Sequence, residues 1–201
     1  MLFSKSLYSR LVNNDVLDNI QLLDNFIKRK DLSFVLKRLN KSIPENKVVH
    51  SMRAAYLANK FSHGTDAAII ALCHDYLECG GSLKKLDVSD KIKECIMCLT
   101  IEPFFDDYDN PPLMSLIYKI GRLPEEYKND IIIAKIADRL DNCVMKQNAG
   151  ELKKKYIDKT ISIIQFLWRE YTGDKKALKT FIVNSFSIVN KEFDCISSLL
   201  N

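Results

Sequence analysis

Apolar residues recur along this chain at three- and four-residue intervals and almost nowhere alternate one by one, which is the period of helices rather than strands. In NKVVHSMRAAYLANKF, Val49, Met52, Ala55, Tyr56 and Ala58 outline a mostly apolar helix, and in IIIAKIADRLDNC the apolar positions Ile131 to Ala134, Ile136, Ala137 and Leu140 nearly encircle the helix axis. The pattern predicts helices at about 14–29, 31–40, 46–61, 65–78, 88–101, 111–120, 125–148, 151–171 and 174–199. The six glycines and five prolines fall between these segments. Thr65-Asp66 can cap the fourth helix, and Gly80-Gly81 can stop it, because glycine readily takes the left-handed conformation that closes a helix. Pro44 precedes the third predicted helix, while Pro103, Pro111 and Pro112 bracket the acidic stretch Phe104 to Asn110, FFDDYDN. That stretch is the one long irregular segment, to be read as a lid or as a solvated connection. The fold class expected is all-α.

Length and composition narrow this picture without redirecting it. At 201 residues, 47% apolar and 28% charged, the chain matches one soluble globular domain, so a single all-α domain over residues 1–201 is expected. No apolar run reaches the roughly 18 residues that span a bilayer, and MLFSKSLYSRLVNN lacks the hydrophobic region and cleavage site of a signal peptide. The formal charge of +4 is spread among interleaved acids, and Lys153-Lys154-Lys155 reads as a solvated helix face. Nucleic acid is therefore a weak expectation as partner, and small phosphorylated ligands suit a mildly basic surface equally well. Six cysteines include the CxxC spacing Cys95-Ile-Met-Cys98, but no second such pair exists. Cys95 and Cys98 sit at i and i+3 of an apolar helix, so buried free thiols and a reducing cytoplasm are expected. Trp168, beside Phe166 and Leu167, reads as core, and His63, before a glycine, as a helix-end or loop residue.

The chemistry enters through LCHDYLE, residues 72–78, where a histidine and an aspartate stand together inside an apolar run. A buried carboxylate with no partner costs several kcal/mol and takes up a proton, so Asp75 needs a cation or strong donors, and a metal ion is the candidate. Adjacent helix positions point about 100° apart, so His74 and Asp75 share an ion only if it sits between their directions. Two more ligands must come from other helices. His50 and Asp138 are polar residues on apolar helices, and with His74 and Asp75 they make two imidazoles and two carboxylates. Such a set suits manganese, iron(II), magnesium or zinc with positions left for water and substrate. Asp141 reads as a surface acid, with an extension of the acidic set as the alternative, and Arg139 as either an ion-pair partner or a functional cation.

The order His50, His74-Asp75, Asp138 on separate helices resembles the HD-domain metal-dependent phosphohydrolase superfamily. ALCHDYLE looks like the LLHDVxED stretch of the RelA/SpoT-type hydrolase domains and their small stand-alone relatives, and KIADRLDN is similar to their KLADRLHN. The resemblance covers roughly residues 25–170, with the helices at about 151–199 expected to pack on that motif-bearing core of an HD-domain helical bundle. It implies His50, His74, Asp75 and Asp138 as metal ligands, the ion usually being manganese. It implies Glu78, together with Asp75, in catalysis, Glu78 matching the first acid of a pair that positions and activates the attacking water. Asn142 matches an asparagine that holds the nucleotide, and Lys135 and Arg139 take phosphate-side or supporting roles. Lys47 survives from a basic loop that here reads NKSIPENKVVH and keeps Lys41 but no arginine. The departures are Cys79 at the second acid, Met145 where a threonine is common, and Ser51 after His50 where the family has proline.

The function implied is removal of the 3′-pyrophosphate of guanosine tetra- or pentaphosphate. The alternatives are another HD nucleotidase, acting on nucleoside monophosphates, dNTPs or the 2′-phosphate of NADPH, and a nucleotide-binding protein without turnover, which Cys79 favours. The expected partner is a small phosphorylated nucleotide, with no membrane and with a homo-oligomer left open.

Overall fold

The computed structural model describes residues 30–62, 65–101 and 108–200. Among them every regular element is helical and no strand occurs, so the chain is all-α. The helices are α1 (Lys30–Ser42), α2 (Glu45–Ser62), α3 (Thr65–Cys73), α4 (Asp90–Leu99), α5 (Pro111–Ile120), α6 (Glu125–Asn148), α7 (Lys154–Glu170), α8 (Lys175–Val189) and the short α9 (Ile196–Leu199). Single 3-10 turns occupy Leu83–Lys85 and Lys191–Cys195. The predicted helix at 14–29, His63 and most of the acidic stretch lie outside the described residues.

Three helices make the centre. α2 packs against α3 and α6, and α3 packs against α6. Their sequences explain it: α3 is buried without interruption from Ala67 to Cys73, α2 from Val48 to Ala58, and α6 from Ile131 to Asp138. A helix apolar on all sides has to be wrapped by others. α1 covers α2 and α3, α4 and α5 lie beside α3, α6 and α7, and α8 closes over α6. One apolar cluster runs through these layers from Leu32 to Leu200, including Trp168 as expected. Cys95, Cys98, Cys73 and Cys143 are buried free thiols in it, with burial pushing their pKa values up to about 12 for Cys73 and Cys95 and about 11 for Cys98 and Cys143. No helix among the described residues is long and apolar enough to cross a membrane.

Local chemistry sets the ends. Ser89 accepts from the Ile92 N–H and Asp174 from the Ala177 N–H, each closing the open first turn of a helix, α4 and α8 respectively. Pro111 and Pro112 fill the first positions of α5, where a missing N–H costs nothing. Two predicted helices end five or more residues before their expected C-termini. The helix at 174–199 breaks at Asn190, whose backbone is extended (φ −161°, ψ 134°) and whose side chain caps the following 3-10 turn at Glu192. The helix at 65–78 stops at Cys73, and His74 to Gly80 continue as overlapping turns. Its cause is visible at the site: the His74 ring claims the Ala71 carbonyl at 2.7 Å, and the Tyr76 N–H turns back to Cys73 instead of Leu72.

Candidate metal centre

The three central helices bring the four predicted ligands together. His50 comes from α2, His74 and Asp75 from the turn that ends α3, and Asp138 from α6; all four are buried, between 3% and 6% exposed. His50 Nε2 stands 3.1 Å from His74 Nε2 and 3.2 Å from Asp138 Oδ1. His74 Nε2 lies 3.3 Å from Asp75 Oδ1 and 3.4 Å from Asp138 Oδ1. The two rings meet edge-on, 80° apart.

The outer ring nitrogens decide what these inner atoms are. His74 Nδ1 donates to the Ala71 carbonyl, and His50 Nδ1 donates to Asp141 Oδ2 at 2.7 Å. A neutral imidazole has one N–H, so in both rings the inward Nε2 carries a lone pair. Two lone pairs and two carboxylate oxygens then converge, an arrangement that is repulsive until a cation enters it. Donors about 2.0–2.2 Å from one ion stand roughly 3.0–3.5 Å from each other. These separations fall in that range, and His50, His74 and Asp75 form a buried group that could hold a metal ion, with Asp138 Oδ1 beside it. Burial pulls the His50 pKa down, but hydrogen bonds to Asp138 and Asp141 outweigh it and raise it to about 9.

Both carboxylates are kept ionised. Burial works against the charge of Asp75, and the electrostatic pull of the adjacent His74 ring and of Lys47 overcomes it, with Lys47 Nζ 2.6 Å from Oδ2. For Asp138 the burial cost is overcome first by Lys135, whose Nζ is 2.7 Å from Oδ2, and by the two histidines, which hold the carboxyl well below its usual range. Asn142 donates to Asp138 Oδ1 at 2.6 Å and also to the Asp138 carbonyl.

All nine predicted site residues line one cavity of about 190 Å³, walled on its apolar side by Leu99, Ile101 and Pro112. Glu78, on the turn rather than on a helix, enters this cavity while its Oε1 accepts from the Ile101 N–H at 3.1 Å. Lys47, Lys135 and Asn142, expected on the ligand side, each hold a carboxylate of the cluster in this structure. Among the described residues Arg139 pairs with no acid: its Nη2 donates to the Tyr156 hydroxyl at 2.6 Å, and its Nε is a buried donor without a partner there.

Asp141 corrects the sequence reading. It is 0% exposed and not a surface acid, accepting from His50 and, at 2.6 and 2.9 Å, from Arg53 Nε and Nη2. Arg53 was absent from the expected set, as was Tyr156. A signal existed for the first: His50 and Arg53, like Asp138 and Asp141, stand three apart on their helices and so share a face.

Comparison of the chain with models of known protein families, with curated proteins and with solved structures gave no match.

Proposed function

We propose that the chain is a metal-dependent nucleotide phosphohydrolase of the HD type, in an HD-domain helical bundle, acting on a pyrophosphorylated guanosine nucleotide. The observation that carries this reading is the convergence of two imidazole lone pairs and two carboxylates at 3.1–3.4 Å in a cavity that also holds Glu78, Lys47, Lys135 and Arg139. The donor set fits a divalent ion, manganese by resemblance, with iron(II), magnesium or zinc as alternatives. Such an ion, when bound, lowers the pKa of a water toward neutrality and polarises a phosphoryl oxygen.

The chain's own groups supply the rest. Glu78 orients the attacking water and takes its proton at the carboxylate oxygen that Ile101 leaves free. Phosphoryl transfer needs charge neutralisation and in-line placement above all, and Arg139 offers an uncommitted N–H to a phosphate oxygen. Lys47, 45% exposed at the cavity rim, can turn from Asp75 to an incoming anion, whereas Lys135, 8% exposed, stays on Asp138. Leu99, Ile101 and Pro112 give an apolar wall for the nucleoside.

The test is release of pyrophosphate or orthophosphate with Mn²⁺ from guanosine tetraphosphate, NADPH and nucleoside mono- and triphosphates, beside Asp75→Ala. Pyrophosphate from guanosine tetraphosphate, lost in the variant, is the expected result. Orthophosphate from another member assigns a different HD phosphatase. Cys79 favours a second reading, a nucleotide-binding protein without turnover, because its thiol cannot replace the family's second acid and its pKa is raised by burial and by Asp75. Bound nucleotide with no product from the whole panel would establish that reading.

A further inference from the structure

We infer that Asp141 and Arg53 are positioning residues for His50, a built-in clamp that fixes the tautomer and direction of this ligand and so sets the grip of the site on its metal. The inference rests on the metal-centre reading above. Its geometry is a ladder of two rungs between α2 and α6. On the first rung His50 Nε2 faces Asp138 Oδ1 at 3.2 Å, and on the second Arg53 grips Asp141 through both carboxylate oxygens at 2.6 and 2.9 Å. The His50 ring joins the rungs, since its Nδ1 donates to Asp141 Oδ2 at 2.7 Å.

A simple tie between two helices accounts for the Arg53–Asp141 bonds. It leaves unexplained why the same carboxylate oxygen also receives the proton of a candidate ligand. It also explains little stability, because a buried ion pair can often be replaced by apolar residues of similar volume without loss. The charges point the same way. Arg53 cancels Asp141, so the pair adds no net charge near the ion, and its effect is exerted through hydrogen-bond direction. Partners of this kind, one shell behind a metal ligand, change metal affinity about 10–100-fold when removed. His74 is held differently, by the Ala71 backbone carbonyl, so Asp141 is the side chain through which substitution can release a ligand ring.

The test compares the full-length chain with Asp141→Asn and with the double variant Arg53→Met/Asp141→Leu, measuring Mn²⁺ affinity by calorimetry and thermal melts of the metal-free proteins. The double variant removes both charges together, and it should melt near the wild type yet bind Mn²⁺ about 10–100-fold more weakly. Asp141→Asn keeps an oxygen for the Nδ1–H and should stay within about tenfold of wild type. In the Zn²⁺ form, the exchange-protected Nδ1–H resonance of His50 should persist in wild type and Asp141→Asn and vanish in the double variant. Equal Mn²⁺ affinity of wild type and double variant overturns the inference, as does an Asp141→Asn affinity as low as the double variant's. A double variant that cannot fold also counts against it, since the pair would then be first a tie between α2 and α6. A wild-type chain that binds no Mn²⁺ or Zn²⁺ fails earlier, at the metal-centre reading itself.

Discussion

Asp75 and Asp138 are both buried carboxylates facing the same two histidines, yet truncating them should have unequal consequences for folding. The partner of Asp75, Lys47, is 45% exposed and returns to water when the acid is removed, so Asp75→Ala should cost about 1 kcal/mol or less. The partner of Asp138, Lys135, is 8% exposed and would be left as an uncompensated charge, so Asp138→Ala should cost about 3–5 kcal/mol. Urea denaturation of the two metal-free variants checks this, and equal losses would refute the assigned burial of Lys135. Tyr76 offers the opposite sign. It is 1% exposed and its hydroxyl has no partner among the described residues, so Tyr76→Phe should raise stability by about 1 kcal/mol; a fall would mean that the hydroxyl is satisfied in solution. At this scale the clustering of His50, His74, Asp75 and Asp138 was legible because a lone histidine or aspartate inside an apolar run demands a partner. Asp141 was misread because it stands where the apolar run of α6 gives way to polar residues, and only its spacing from Asp138 marked it as inward-facing. Tyr156 was not legible at all, since its contact with Arg139 joins α7 to α6 across a packing that no periodicity encodes.

Among the elements, the turn after α3 matters most for the site. Periodicity carried the helix on to residue 78, because the sequence stays apolar at helical spacing; the stop comes from His74 bonding the Ala71 carbonyl, a side-chain event with no compositional trace. Gly80 and Gly81 close this turn in different ways. Gly80 has φ +81° and open space around it, so Gly80→Ala should cost only about 1–2 kcal/mol in backbone strain. A Cβ at Gly81 would stand 2.5 Å from the Tyr76 ring, which is buried and cannot withdraw. Gly81→Ala should therefore displace the turn that carries His74, Asp75 and Glu78 and lower Mn²⁺ affinity, while Gly80→Ala should leave affinity near wild type. Calorimetry on the two variants distinguishes these outcomes, and a Gly81→Ala chain with unchanged affinity would falsify the coupling. The central helices α2 and α6 were the easiest to read, since their long apolar stretches left few other assignments.

At the scale of the molecule, three helices and one turn converge on the site, so an ion held there ties α2, α3 and α6 together and should stabilise the whole chain. Saturation at about 100 times Kd is worth about 2.7 kcal/mol, or roughly 5–10 °C in Tm for a chain of this size. Mn²⁺ should produce that rise, a chelator should reverse it, and Asp75→Ala should show neither; a melting curve indifferent to Mn²⁺ would remove the metal reading. The same packing that builds the site also buries most of the thiols. Of the six cysteines, Cys195 is exposed and Cys79 half-buried, while Cys73, Cys95, Cys98 and Cys143 lie inside the core as protonated, unreactive thiols. The native chain should consequently consume one or two equivalents of a thiol-reactive dye at once and the remainder only as it opens. Each reluctant sulfur then works as a clock, timing how often the helices around the site come apart.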